Sequence, residues 1–379
     1  MRKLYLIFIL FIFLFSCKSY IEKISEETAN SSEIRVKLKL GNQIEIPLLS
    51  HIVVEDDLTK RRFFFTKKTI KIAVKDDFTK LNDKNITNPI KIYSLQKKTI
   101  IINDRSYLGV IKIFPLKDGF EVINYIPIET YLLSVLPSEV PIKFPIEALK
   151  AQVVIARTYS LYFINKYRDK RNFDVDNTVS YQVYNGFNLD LKNDDLSKIK
   201  KAVKETFGEI ITYENKPIIA YFHSNSGGKT RSGKEYFGQS SNFAYLTSKE
   251  DPFSIGKPND KWNCEVLIKD IKKSLDLTND ILESFFTYNE DGFVDKLNYS
   301  NKTLSSKEIR KKIGYFVVKS ERFKIKIEKN KIKFEGIGFG HGVGLSQWGA
   351  ESMAEQGYKY KEIIQFYYPS TNISKLLLN

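Results

Sequence analysis

GFEVINYIPIETYLLSVLPSEVPIKFPIEALKAQVVIARTYSLYFINKY, residues 119–167, is where one periodicity gives way to another. From Gly119 to Ile126 the residues alternate in the two-residue rhythm of a half-buried strand. From Pro145 onward Ile146, Leu149, Val153, Ala156, Ser160, Phe163 and Tyr167 recur at three- and four-residue spacing, the stripe of a helix packed on a core and running to about Tyr167. Pro145 fits the first helical turn, where its missing N–H has no partner to lose. Between the two patterns Ser138-Glu139-Val140-Pro141 reads as a turn joining helical segments, with Pro137 and Pro141 keeping Glu139 off a regular helix.

Upstream, from Ile34 to about Pro127, the runs IRVKLKL, QIEIPLL, RRFFFT, TIKIAV, IKIYSL, TIIIND and LGVIKIF are broken by Gly-Asn, Asp-Asp and Lys-Asp-Gly turns and predict strands. Residues 18–32, rich in Ser, Glu, Asn and Thr, read as a flexible tether. At the start, Arg2 and Lys3 precede an apolar run from Leu4 to Phe15. A bilayer span needs roughly 20 apolar residues, so a signal peptide fits better. Leu14-Phe15-Ser16-Cys17 has the order of a lipoprotein box, which predicts an exported protein anchored to a membrane through a lipid on Cys17; an ordinary signal peptide or an uncleaved anchor is the alternative. Cys264 is the only other cysteine, so acylation of Cys17 leaves no internal disulfide.

Lys plus Arg is 60 against 45 for Asp plus Glu, a net charge of +15. Such a surplus favours acidic partners: nucleic acid, anionic lipid or a carboxylate-bearing polymer. Export makes nucleic acid the weakest of these, and a solvated lysine surface accounts for part of the charge. Downstream, Leu196 to Thr206 predicts a helix, and EIITYENKPIIAYFHSNSGG (209–228) a hairpin turning at Glu214 to Lys216. Lys261 to Lys329 mixes helical and strand signals. Ile332 to Phe334 predicts a strand entering a glycine-rich loop, followed by a helix from Ser346 to Gln356 closed by Gly357. The expected fold is α+β: a β-rich N-terminal part (33–127), then a mixed α/β body (128–373) with a central helix and one cleft.

Three polar clusters are candidates for chemistry. Glu139, against Val135, Leu136 and Phe144, is placed for desolvation that raises a carboxyl from about 4.3 toward roughly 6. Such a group gives a proton to a glycosidic oxygen and then takes one from an attacking hydroxyl; a plain surface glutamate is the alternative. The second cluster, His223 to Thr230, is HSNSGGKT, whose small residues leave room for backbone to approach a ligand. Gly228, Gly233 and Lys234 imitate a phosphate-binding loop, but Glu235 stands where a hydroxyl must hold magnesium, which excludes a nucleotide site. His223 is a general base, a metal ligand or a hydrogen-bonded structural residue. The third cluster, GIGFGHGVGLSQWGA (336–350), presents His341, Ser346 and Gln347, and its alternate glycines strip one face so that a sugar chain has room to lie on the backbone; a packed structural turn is the alternative. The 3 histidines and the free cysteine form no zinc-spaced pair, and no Gly-x-Ser-x-Gly elbow is present. No metal and no cofactor are expected.

Together, IPIETYLLSVLPSEVPIKFPIEALKAQVVIARTYSLYF (126–163), YFHSNSGGKTRSG (221–233) and GIGFGHGVGLSQWGAESMAEQGYKYKEIIQFYYPST (336–371) resemble the family of stage II sporulation protein D and the amidase enhancer LytB. The resemblance covers about 34–373 and is weakest between 250 and 330. It implies peptidoglycan binding and, for the sporulation branch, a lytic transglycosylase that cuts peptide-stripped glycan strands and leaves 1,6-anhydro-muramic ends. The family's catalytic glutamate falls on Glu139, with Val140 where methionine is usual. Gln152, Arg157, His223, Ser226, His341, Ser346 and Gln347 become candidates to bind the sugar. Some sporulation members hold zinc near the second cluster, but Ser226 stands here without a cysteine, so zinc is not carried over. The other branch implies a non-catalytic glycan-binding enhancer of a separate cell-wall amidase.

Overall fold

Alternation decides the first sheet. Glu33–Leu38 buries Ile34, Val36 and Leu38 and turns its charged residues outward. It pairs antiparallel with Gly119–Pro127, which pairs in turn with Val110–Leu116. Ile90–Ser94 and Ile52–Asp56 extend the sheet on one side, and Val175–Asp176 joins Glu33–Leu38 in parallel on the other, giving six strands. Gln43–Pro47, Thr69–Lys75, Phe78–Leu81 and Lys84–Asn85 form a second sheet of four. The computed structural model describes residues 32–49, 51–66, 68–75, 78–238 and 243–376. The expected signal peptide, Cys17 and all of the expected tether except Ser32 lie outside the described residues.

The β-rich N-terminal part is as expected, with one correction. RRFFFT is not a strand: Arg62 alone bridges to Glu55, and the Phe63 N–H reaches the Val54 carbonyl at 2.9 Å. Phe63 and Phe65 stack on each other and pack against the main core while Phe64 is 92 % exposed, so the run is held by its rings instead of by a ladder. The strand in this region is Ile52–Asp56, whose burial does not alternate.

Gly119–Pro127 runs directly into the helix Ile128–Glu139, buried from Ile128 to Leu136. Glu139 is therefore the last residue of a helix, and the expected turn is its final turn with Pro137 inside. A proline there forfeits the hydrogen bond to the Leu133 carbonyl and crowds that carbonyl with its ring, a cost confined to the last turn of the helix. Val140 is already extended, with its N–H on the Leu136 carbonyl. The central helix is Ile146–Tyr167, and Pro145 lies just before it instead of in its first turn, its carbonyl accepting from the Leu149 N–H. This helix is sheathed by Asn193–Glu205, Gln347–Glu355, Tyr360–Tyr367 and the strand Glu209–Tyr213. The hairpin is found where expected: Glu209–Tyr213 meets Lys216–Pro217 around Glu214 (φ 50°) and Asn215 (φ 58°), the left-handed pair of a two-residue hairpin turn.

The lysine-rich section resolves into a body with its own core of Trp262, Leu297, Phe323 and Phe334. Lys261–Leu267, Lys331–Ile337 and Phe323–Glu328 form one three-stranded sheet, and Phe286–Tyr288, Val294–Tyr299 and Lys302–Ser305 another. Ser306–Ile313 follows, opened by a capping box between Ser305 and Glu308. The last motif helix, Gln347–Glu355, is capped by Ser346 and followed by Gly357 at φ 94°, within a residue of the sequence reading. Among the described residues no helix is long and apolar enough to cross a membrane.

Candidate functional site

Glu139 reaches the surface only at the end of a buried helix, and a loop far along the chain closes over it. The Val183 N–H donates to Glu139 Oε1 at 2.6 Å. Val183 is held there by its neighbour Gln182, fully buried, whose Oε1 accepts from Tyr131 Oη (3.2 Å) and Ser160 Oγ (3.0 Å) and whose amide donates to the Ala156 carbonyl (3.4 Å). Burial pushes the Glu139 carboxyl up from 4.5 to about 7, with the Val183 bond pulling the other way. Near neutral pH this group exchanges a proton readily in either direction.

The second and third clusters meet at Val343. His223 Nδ1 stands 3.1 Å from the Val343 carbonyl, which only accepts, so Nδ1 carries the proton. That leaves Nε2 of His223 as a buried acceptor with no partner among the described residues. The Val343 N–H donates to His341 Nδ1 at 3.1 Å, which puts the His341 proton on Nε2. Burial drives His223 well below the usual histidine range, with His341 adding to the effect. Burial, reinforced by Arg310, takes His341 down to about 3. Both rings, 5.6 Å apart between centroids, are neutral imidazoles near neutral pH.

Glu139, His223, His341 and Gln347 line one cavity of about 550 Å³. Tyr159, Tyr181, Tyr221, Tyr236 and Phe237 give it aromatic walls, the kind of surface on which sugar rings pack, and Lys307 and Arg310 bring positive charge. Gln347 is buried and His341 half-buried at its edge.

Four expected residues do not reach this cavity. Arg157 is fully buried and takes Glu129 in a two-pronged pair at 2.7 Å on both sides, with a third bond to the Glu209 carbonyl. It locks three elements together and has no edge left for a sugar. Ser226 Oγ donates to Asp251 Oδ2 at 2.7 Å, and Ser346 Oγ accepts from Ser226 N–H and Gly349 N–H. Gln152 is 2 % exposed, with both amide atoms unpartnered among the described residues. Arg157, Ser226 and Ser346 hold the frame.

The glycine-rich loop needs a correction too. A Cβ on Gly340 (φ 116°) would lie 2.6 Å from His223 Cβ, and one on Gly344 (φ 71°) 2.0 Å from the Tyr221 carbonyl oxygen. The stripped face expected to receive a sugar chain is filled by the protein's own backbone and side chains, beside the place where Phe222–His223 runs parallel to Leu345–Ser346. Sequence reasoning missed Asp251, whose carboxylate accepts from Ser226 Oγ and, at 3.0 Å, from Tyr367 Oη, joining the second cluster to the C-terminal helices. It also missed Gln182, Val183 and Arg310, none of which belongs to a local pattern. Among the described residues no group of three His, Cys, Asp or Glu comes together to hold a metal.

The sequence model of the stage II sporulation protein family matches residues 117–213, which contain Glu139, its helix and the central helix. An uncharacterized protein of Brachyspira hyodysenteriae is 35 % identical over 286 residues, 72 % of this chain and 73 % of its own length. Stage II sporulation protein D of Bacillus amyloliquefaciens is 34 % identical over 266 residues, 67 % of this chain and 76 % of its own. The amidase enhancer of Bacillus subtilis is 28 % identical over 297 residues, 64 % of this chain and 40 % of its own.

Proposed function

This chain belongs to the family of stage II sporulation protein D and the amidase enhancer, and we propose that it is a peptidoglycan lytic transglycosylase with Glu139 as its acid and base. The observation that carries the reading is that Glu139 is the one carboxylate among the residues lining the cleft, and burial keeps it protonated up to about pH 7. Glycosidases that use water take two carboxylates about 5 to 10 Å apart. A single carboxylate suits a reaction whose nucleophile is part of the substrate.

In that reaction Glu139 gives its proton to the oxygen between N-acetylmuramic acid and N-acetylglucosamine, and the bond from that oxygen to the muramic anomeric carbon breaks. The resulting carboxylate takes the proton of the muramic 6-hydroxyl as its oxygen attacks the same carbon. The product is a 1,6-anhydro end, and Glu139 is protonated again for the next cycle. Well-oriented intramolecular attack reaches effective molarities of about 10⁵ to 10⁸ M, which removes the need for a bound water nucleophile. The neutral His223, with Gln347 and His341, lines the cleft beside Glu139. A net charge of +15 suits a polymer bearing carboxylates. The reading places the protein in the cell envelope, tethered through a lipid on Cys17, with residues 33–127 as a β-rich support for the motif-bearing 128–373.

The similarity to an amidase enhancer favours a second reading, a glycan-binding protein that stimulates a separate cell-wall amidase through the same cleft. Mass spectrometry of peptide-free glycan strands after incubation with the protein and with Glu139→Gln separates the two. Anhydro-muramic ends made by the unmutated protein alone support the transglycosylase. Intact strands bound equally by both proteins leave the enhancer.

A further inference from the structure

Two cationic side chains lining the cleft take no part in these proton transfers, and both come from the helix of the second core, Ser306–Ile313. Lys307 and Arg310 are three residues apart and so share a helix face. Arg310 is 7 % exposed. Its Nε donates to the Val318 carbonyl at 3.0 Å, and the Tyr315 ring centroid lies 4.8 Å from its guanidinium carbon, so the plane of the group is fixed from one edge and one face. Among the described residues no carboxylate stands within ion-pair distance of it: Glu321, whose charge acts on it most, is held by Arg231 at 2.7 Å. Burial lowers the Arg310 pKa accordingly. Lys307 is exposed, lies 4.2 Å from the Tyr236 ring centroid and has no ion pair among the described residues. The helix's own acid, Glu308, is engaged with Ser305 in the capping box.

A buried guanidinium with no carboxylate in direct contact is costly, and natural folds retain one where it meets an anion. With Nε used, Arg310 keeps the two terminal nitrogens, an end-on fork matched to the two oxygens of a carboxylate. We propose that Arg310, assisted by Lys307, is the receptor for the lactyl carboxylate of an N-acetylmuramic acid residue in the bound glycan. The inference rests on the glycan reading of the cleft. That carboxylate is free only where no stem peptide is attached, because the peptide converts it to a neutral amide. The second core thus supplies the part of the cleft that distinguishes stripped from peptide-bearing strands.

The test uses binding, so that turnover does not enter. Peptide-free glycan strands, and the same strands with their lactyl carboxylates converted to methylamides, are titrated calorimetrically into Glu139→Gln and into Glu139→Gln/Arg310→Gln. The first protein is expected to prefer the carboxylate strands by about 10- to 100-fold, the range for hydrogen bonds to a charged group. The second is expected to bind both kinds with the lower affinity. Lys307→Ser, at an exposed position, is expected to weaken carboxylate binding about two- to fivefold, and less in high salt. Should Arg310→Gln lose its native circular dichroism, Arg310→Lys decides, since it keeps the charge and removes the fork; it too is expected to lose the preference. A preference that survives loss of the fork overturns the proposal, as does equal binding of both strands by the first protein, and either result leaves the transglycosylase reading standing. Failure of every strand to bind overturns both.

Discussion

Replacing Glu139 with Gln should stabilise this protein at alkaline pH and leave it unchanged in acid. Burial lifts the carboxyl from its ordinary 4.5 to about 7 in the folded state. Below pH 4.5 the group is protonated in both the folded and the unfolded chain, so it contributes nothing to the pH dependence. Between 4.5 and about 7 the unfolded chain releases the proton while the folded chain still holds it, and stability falls as pH rises. Above 7 both states are ionised and the penalty is complete. The interval between 4.5 and about 7, at roughly 1.4 kcal/mol per unit, amounts to about 3.5 kcal/mol. Because the carboxyl retains some contact with cleft water, about 2 kcal/mol is expected. Gln at this position keeps an oxygen to accept from the Val183 N–H, so that contact survives the change. Urea unfolding of the two proteins at pH 4, 6 and 8, followed by circular dichroism, measures the difference directly, and titrations common to both cancel. The curves should coincide at pH 4, separate through pH 6 and reach a constant gap above 7. A gap independent of pH, or one that opens in acid, would refute the argument that burial holds this proton. The same desolvation that makes Glu139 an acid near neutral pH is, on this account, a cost to the fold.

Arg157→Ala should cost about 3 to 5 kcal/mol in chemical denaturation, because it strands the Glu129 carboxylate in the core; replacing the pair together by Met and Leu should recover most of that, and an unchanged midpoint for the single variant would mean the pair is not a frame element. Gly340→Ala should disturb the cleft out of proportion to its size, since its Cβ would meet His223 Cβ at 2.6 Å on a backbone at φ 116°. Gly208→Ala is the control: at φ 69° with nothing within 4 Å of its Cβ, it should cost only backbone strain of about 1 kcal/mol, and equal losses of glycan binding in the two variants would remove the steric reading.

The parts of this site that were legible from sequence are those whose surroundings are local. Glu139 could be singled out because Val135 and Leu136 lie within a few residues and allow a desolvated carboxyl, but the same spacing allows a surface glutamate, and it is the resemblance of the motif and the distant loop at Val183 that separate the two. The central helix could be read directly, since its apolar spacing is a property of one segment. Arg157 shows where this fails: its spacing on that helix is equally compatible with a sugar-facing charge and a buried one, and only Glu129, 28 positions earlier and on another helix, settles that it is buried. The glycines of 336–344 are a mixed case. Their alternation does announce that something must approach closely, but what approaches is backbone of Tyr221 and Asn225 and side chains of His223, Arg231 and Trp262, dozens to more than a hundred residues away, and no local pattern distinguishes these from a ligand. Val183 against Glu139, Val343 between His223 and His341, and Asp251 beneath Ser226 are all long-range contacts of this kind. Val183 and Val343 supply backbone groups that no residue type announces, whereas Asp251 braces Ser226 away from the cleft lining. It follows that the chemistry of the cleft is encoded in short motifs, whereas its geometry is encoded in the packing between them. A substitution at Gln182 or Asp251, far from any motif, should therefore disable the site as surely as one at His223.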